Sequence, residues 1–368
     1  MQKLKKLVIL CGGTGGHFFP GLSIGRIFKA ESGEVILITG RHKVSYAKEF
    51  SPKYNIPIYE VESSSISASP LKLINFIIKT SFGFFQSWKI LVKHKPDAVL
   101  AMGSYTSIPS SLAAIVLRIP LFLHDGNSVI GKANCFLSKW AKILMSAFPV
   151  VNQNLDISKI LVTGMPLRPE LADTKIKDKQ EAIALFNKIF IRNFDIKKIT
   201  LLIFGGSLGA KKINTSVPEA LASLNLTANS LQVVHLTGRD YAESTSERYK
   251  QLQFDHLILE KYDDMSLLYK MADIVICRSG GSTVAELHYF DKNSILVPYP
   301  LAAENHQYFN ALFLQMKNPD TLIIEDKDCS VETLAKAISN LLTKTPRLQT
   351  PKTNPAVSVL SVIEEKLI

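Results

Sequence analysis

Short apolar, β-branched runs recur along this chain between longer stretches with helical spacing. In the first half they are Leu7–Leu10, Val35–Thr39, Ala98–Met102, Leu121–His124, Ile143–Phe148 and Ile160–Thr163. In the second half they are Ile199–Phe204, Val233–Leu236, Ile274–Cys277, Ile295–Pro298 and Leu322–Ile324. Runs this short and this apolar predict strands buried on both faces, and their alternation with helices predicts parallel sheets. The pattern starts twice, each time as a strand entering a glycine loop: Leu7–Leu10 into Cys11–His17, and Leu201–Phe204 into Gly205–Ala210. The expected architecture is α/β, two doubly wound Rossmann-like domains. The boundary falls near Gly164–Arg168, where Pro166 and Pro169 break any regular element. Residues 1–166 then form the first domain and 167–347 the second. Pro355–Ile368 reads as a final amphipathic helix packing back on the first. Ligands of doubly wound sheets sit at the carboxyl ends of the strands, so a cleft between the two domains is the expected site.

Each glycine loop narrows the ligand. Glycines let backbone approach a ligand closely, and a loop feeding a helix presents N–H groups to phosphate oxygens. Yet Gly13-Thr14-Gly15 is followed by Phe18 where a dinucleotide fingerprint needs its third glycine, and no lysine follows as a P-loop requires. The loop Gly205-Gly206-Ser207-Leu208-Gly209 fails both spacings too. A third cluster, Cys277-Arg278-Ser279-Gly280-Gly281-Ser282-Thr283, leaves an apolar run and opens a helix whose N-terminus suits an anion. His17 closes the first loop. Histidine is the residue type that exchanges protons near neutral pH, which makes this position a candidate general base. Asp326-Lys327-Asp328 has a metal-like spacing but precedes Ser330-Val331-Glu332, and reads as a solvated loop at a helix start. With no Cys/His cluster, no metal and no cofactor is expected.

Charge adds a partner. Residues 1–166 carry 19 Lys and Arg against 8 Asp and Glu, whereas residues 167–368 carry 24 of each. The whole excess of +11 sits in the first half and points to an anionic partner. Ser63–Pro96 holds no Asp or Glu. It interleaves Lys72, Lys79, Lys89, Lys93 and Lys95 with Leu71, Ile74, Phe76, Ile77, Phe82, Phe84, Phe85 and Trp88. Basic residues among aromatics suit an interfacial helix on an anionic membrane, at roughly 1 kcal/mol per cation. No nucleic-acid-binding motif is present, so nucleic acid is not the expected partner. No stretch reaches the roughly 18 apolar residues of a membrane span, and Leu7–Leu10 is too short for a signal peptide. The 4 cysteines form no C-x-x-C pair, which suits a reducing compartment.

Taken in order, GGTGGHFFPGL (12–22), MGSYTS (102–107), HDGN (124–127), GMPLR (164–168), GGSLGA (205–210), YDDM (262–265), CRSGGSTVAE (277–286) and HQYFNA (306–311) resemble the MurG family. These are peptidoglycan N-acetylglucosaminyltransferases with a GT-B fold, two Rossmann-like domains facing a cleft. The resemblance implies inverting transfer of GlcNAc from UDP-GlcNAc to lipid I, forming lipid II, by a peripheral protein on the cytoplasmic side of the cell membrane. The first domain would bind acceptor and membrane, through the Leu71–Lys95 region, and the second UDP-GlcNAc. Cell-wall assembly proteins are further implied partners. Thr14, Gly15 and Gly16 would lie near the donor sugar and acceptor diphosphate, with His17 as base. Asn127 would contact the donor sugar, and Arg168 and Tyr262 would lie by the uracil. Gly206 and Ser207 would approach the nucleotide diphosphate. Gly281, Ser282 and Thr283 would offer N–H groups to phosphate, Glu286 would hold the ribose, and Gln307 the GlcNAc hydroxyls. Three positions depart from the family pattern: HEQN is His124-Asp125-Gly126-Asn127, the second glycine of MGGY is Ser104, and the Gln-Gln pair is His306-Gln307. The alternatives are a GT-B transferase with another lipid acceptor, a UDP-GlcNAc epimerase or hydrolase, or a non-catalytic envelope-assembly scaffold.

Overall fold

The computed structural model describes every residue except 1–3, 13–14, 42–45, 65–69, 152–154, 207–208, 225, 227–230, 346, 348, 351 and 368, and the backbone alone at 46–47 and 70–72. The chain divides into two compact units, Met1–Pro169 with Thr353–Ile368, and Glu170–Lys352.

The first unit is built on β1 (Lys6–Cys11), β2 (Glu34–Gly40), β3 (Ile58–Val61), β4 (Ala98–Ala101), β5 (Leu121–Asp125), β6 (Ile143–Ser146) and β7 (Ile160–Val162). They form a parallel sheet in the order β3-β2-β1-β4-β5-β6-β7. β1 is central, with Leu7 opposite Val35 on one side and Ala98 on the other. Side chains alternate across a strand. Leu7, Ile9 and Cys11 therefore pack on one face with Phe18, Leu22 and Phe28 of the helix Gly15–Ala30. Val8 and Leu10 pack on the other with Leu91, Ala113 and Leu137. The final helix, Pro355–Lys366, buries Ala356, Val359, Leu360 and Ile363, an i, i+3, i+4, i+7 stripe, in the first of these clusters. Asn354 caps it, accepting from Ala356 N at 3.1 Å, and its amide reaches Ser23 Oγ at 3.2 Å.

The second unit repeats the plan with β8 (Ile199–Phe204), β9 (Leu231–Leu236), β10 (His256–Leu259), β11 (Ile274–Cys277), β12 (Asn293–Leu296) and β13 (Thr321–Ile323), in the order β10-β9-β8-β11-β12-β13. Its first six-strand order matches that of the first unit. Both are the doubly wound order, which reverses direction beside the first strand. The switch points lie between β1 and β4 and between β8 and β11.

The apolar runs became strands with bounds shifted by up to two residues: β9 starts at Leu231, β12 starts at Asn293 and β6 ends at Ser146. Two strands were not expected, β3 and β10. Both are sheet edges, and both leave most of their residues half-buried, so they lack the unbroken apolar run of a central strand.

Candidate functional site

The first unit organises its switch point around His17. β1 ends at Cys11, and the helix starting at Gly15 carries His17 in its first turn. Across the switch, Met102 follows β4 and its carbonyl lies 2.8 Å from His17 Nδ1. A carbonyl only accepts, so Nδ1–H donates and the Nε2 lone pair of the neutral ring is left to take a proton. Gly12 makes room for this: a Cβ there would lie 2.6 Å from His17 Cβ and 3.0 Å from Ser104 Cβ. Ser104 itself has φ +72°, where glycine is favoured.

The neighbouring loop is held by Asp125, which is buried at 4% exposure. Its carboxylate accepts from Asn127 N at 3.1 Å, Gly131 N at 2.9 Å and Asn134 Nδ2 at 2.9 Å. The departure from the family's HEQN thus supplies a three-bond loop clamp that positions Asn127. His124 donates Nε2–H to the Gly164 carbonyl at 2.9 Å. Burial lowers its pKa and keeps the ring neutral. Arg168 lies over the Phe19 ring, 5.5 Å from the centroid.

In the second unit a cavity of about 690 Å³ opens at the carboxyl ends of β8 and β11. Gly206, Lys211, Lys212, Arg278, Gln307 and Asp326 line it. Gly206 and Gly209 both have positive φ, and Gly209 N donates to Gly206 O at 2.9 Å, closing the turn that feeds the helix Lys211–Ser223. Ala210 and Gly280 start their helices with no side-chain cap, whereas Asp178, Asp264, Ser330 and Asn354 cap theirs. A Cβ at Gly280 would meet nothing within 4 Å. The amides of Gly281–Thr283 therefore begin the helix Gly281–Tyr289 beside open space, the arrangement that receives an anion.

Gln307 Oε1 accepts from Tyr299 N at 2.9 Å, which leaves the Nε2 amino group to donate into the cavity. It sits at the start of the helix His306–Lys317, after Glu304 and Asn305, both left-handed. Arg278 donates to the carbonyls of Val297 and Pro298, both at 3.1 Å, and pairs with Asp326 at 2.6 Å. Asp326 is thus a cavity wall, not the solvated loop expected, because a guanidinium distant in sequence draws it inward. Glu286 is buried, with Oε2 accepting from Tyr269 Oη at 2.8 Å. Tyr262 stacks edge-on against Phe190 at 5.3 Å, and burial, with Asp264 and Asp263, raises its pKa.

The domain family described as glycosyltransferase family 28 N-terminal domain matches residues 7–146, and the family 28 C-terminal domain matches residues 200–367. The second match runs through the final helix, which packs in the first unit. A curated relative from Thermodesulfovibrio yellowstonii is 35% identical over 92% of this chain and 90% of its own length. One from Geobacter sulfurreducens is 34% identical over 94% and 92%. Both are named UDP-N-acetylglucosamine--N-acetylmuramyl-(pentapeptide) pyrophosphoryl-undecaprenol N-acetylglucosamine transferase. The chain belongs to the MurG family. The solved MurG of Acinetobacter baumannii is similar over 98% of this chain and 99% of its own, with a TM-score of 0.73 and 26% identity. A UDP-GlcNAc 2-epimerase from Neisseria meningitidis, at 14% identity and a TM-score of 0.63, shares the fold alone. The two doubly wound units are those of a GT-B protein.

Among the expected MurG-type site residues, Gly206 and Gln307 line one cavity, and Gly281–Thr283 start the helix after β11. His17, Gly15 and Gly16 share one helix start in the first unit, with Asn127 on the Asp125 loop. Thr14 and Ser207 lie outside the described residues. Lys211, Lys212 and Tyr299 were not expected in the cavity, although the Lys-Lys pair directly follows a glycine loop in the sequence.

The helix Pro70–His94 of the first unit carries a second feature. Leu73, Ile74, Ile77, Ile78, Phe82 and Phe85 are exposed, Phe82 by 63% and Phe85 by 65%. Phe84 and Trp88 instead pack on the core with Leu91, at i, i+4 and i+7 spacing, which corrects the expectation that they lie outward. Lys79 pairs with Glu62 at 3.7 Å, while Lys89, Lys93 and Lys95 are exposed. No helix among the described residues is long and apolar enough to cross a membrane.

Proposed function

We propose that this chain transfers GlcNAc from UDP-GlcNAc to lipid I, yielding lipid II for peptidoglycan synthesis. Homologues that share about a third of its residues, along nearly its full length, are named for that reaction. The observation that carries the chemistry is the His17–Met102 hydrogen bond, which leaves Nε2 as the acceptor of a proton.

In this scheme the second unit holds the donor. The amides of Gly281, Ser282 and Thr283 and the Gly206 turn, with Lys211, Lys212 and Arg278, receive the diphosphate. Oriented amides and cations there stabilise the charge that grows on departing UDP. Glu286, steadied by Tyr269, takes the ribose hydroxyls, Tyr262 flanks the uracil, and the Gln307 amino group binds GlcNAc. The first unit holds the acceptor. Its sugar hydroxyl attacks C1 of GlcNAc, the C1–O bond to diphosphate breaks, and the hydroxyl proton passes to His17 Nε2. A single displacement inverts the anomeric centre.

The exposed apolar face of Pro70–His94 and its free lysines support docking on an anionic membrane surface, where lipid I resides. The protein is then peripheral, on the side where UDP-GlcNAc is made. The test is transfer of labelled GlcNAc by the purified protein, offered lipid I, diacylglycerol or water. Label appears in a lipid-linked disaccharide. Label in diacylglycerol would assign another acceptor, and release to water would assign hydrolysis.

A further inference from the structure

The second unit has another cavity, of about 520 Å³, at the opposite end of its sheet from Gly206 and Gln307. Ala272 and Asp273, just before β11, and Asp291 and Lys292, just before β12, form part of its wall. Cations dominate the remainder: Lys177, Lys179, Lys270 and Arg347, against the single further carboxylate of Asp178.

The carboxylates are already committed. Asp273 accepts from Lys179 Nζ at 2.5 Å and from Thr200 N at 2.8 Å. Asp291 pairs with Lys352, which does not line the cavity, and accepts from Thr350 N at 2.8 Å. Asp178 caps a helix, accepting from Glu181 N at 2.9 Å. Among the described residues, three of the remaining cations donate hydrogen bonds to neutral oxygens alone. Lys292 Nζ donates to the Ala272 carbonyl at 2.8 Å. Lys270 Nζ donates to Gln349 Oε1 at 2.7 Å and to the Lys177 carbonyl at 3.1 Å. Arg347 donates to Asn318 Oδ1 at 2.7 Å.

Among the described residues, three cations from three different stretches thus face one cavity without a direct ion pair, while Asp178 and Glu181 oppose the lowering of Lys270 by burial. Burial lowers Lys292 to about 8, with the like charges of Lys270 and Lys179 adding to it and Asp273 and Asp291 opposing it. Gathering like charges in a half-buried space is unfavourable unless an anion joins them. A single carboxylate leaves two of the three unmatched. A diphosphate carries enough charge and enough oxygens for two ammonium groups and a guanidinium fork.

We propose that this cavity is a second anion site, separate from the donor pocket, that takes a compact diphosphate-class ligand. Lys270, Lys292 and Arg347 are its contacts. Arg347 lies on the segment that follows the helix Val331–Leu342 and belongs to the second unit, so all three contacts come from one unit.

The probe is pyrophosphate, titrated calorimetrically into the full-length protein in excess UDP. The wild type takes up one further equivalent. Lys270→Gln/Lys292→Gln weakens that uptake at least about tenfold, as loss of charge-assisted bonds requires, and Arg347→Gln by about fivefold. Circular dichroism melting reports whether each variant is folded. Should the double variant unfold, Arg347→Gln, an exposed position, decides the outcome alone. No uptake by the wild type, or equal uptake by folded variants, overturns the proposal. Equally tight binding of acetate overturns the assigned ligand class.

Discussion

Replacing His17 by asparagine separates what the side chain does from where it sits. Asparagine Nδ2 occupies nearly the place of imidazole Nδ1, so it can still donate to the Met102 carbonyl now 2.8 Å away. It has no basic nitrogen at the Nε2 position. General-base catalysis contributes ~10²–10⁴ in rate, or roughly 3–5 kcal/mol of barrier. The hydrogen bond to Met102 contributes only about 0.5–1.5 kcal/mol to stability. His17→Asn should therefore lose ~10²–10⁴ in kcat and unfold within about 1 kcal/mol of the wild type. His17→Ala should lose the same in kcat and further stability from the missing bond. KM for UDP-GlcNAc should change little in either, because the groups assigned to its diphosphate, ribose and GlcNAc hydroxyls, Gly281–Thr283, Glu286 and Gln307, belong to the second unit. Steady-state kinetics on lipid I and urea unfolding give both numbers. A His17→Asn protein with kcat within about threefold of the wild type would refute proton transfer to this ring.

Three further outcomes follow from other residues. Gln307→Ala should weaken UDP-GlcNAc about tenfold and UDP less than about twofold in calorimetric titration, since its free amino group is assigned to the sugar; equal losses for both ligands would move the residue off the sugar. Phe82→Ser with Phe85→Ser should weaken binding to anionic vesicles by about fivefold or more per ring, with sedimentation as the readout and UDP-GlcNAc affinity unchanged; Phe84→Ser, in the core cluster, should instead cost stability. His235 is buried between Tyr249 and Asn214, and burial lowers its pKa from 6.5 to about 3. The unfolded chain then binds this proton first as pH falls, so stability drops by about 1.4 kcal/mol per unit between about pH 6.5 and 3. Urea unfolding at pH 7 and pH 5 should show a loss of about 2 kcal/mol from this group, absent in His235→Gln; an equal pH response in both proteins would place the effect elsewhere.

How far the sequence reaches depends on the kind of contact. β1 and β8 were legible because a strand buried on both faces must be apolar throughout, and the loops after them because close backbone approach demands glycine, as Gly12 beside His17 shows. Edge strands β3 and β10 were not, since one open side admits residues such as Glu60 and His256. The cavity needed coordinates where partners are distant in sequence: Asp326 reads as solvent-facing until Arg278 is set against it. The same holds for Asp125, whose clamp on Gly131 and Asn134 only a folded loop reveals. The outward aromatics of Pro70–His94 were readable in principle. Phe84, Trp88 and Leu91 already had the spacing of a buried stripe, which leaves Phe82 and Phe85 for the surface.

The central claim is a single displacement at C1 of GlcNAc, with lipid I as acceptor and His17 taking its proton. The most direct measurement is the anomeric configuration of the disaccharide released from the lipid product, read by proton NMR. An inverting displacement on the α-linked donor predicts a β-linked disaccharide; an α-linked product, or free GlcNAc with no disaccharide, would contradict it.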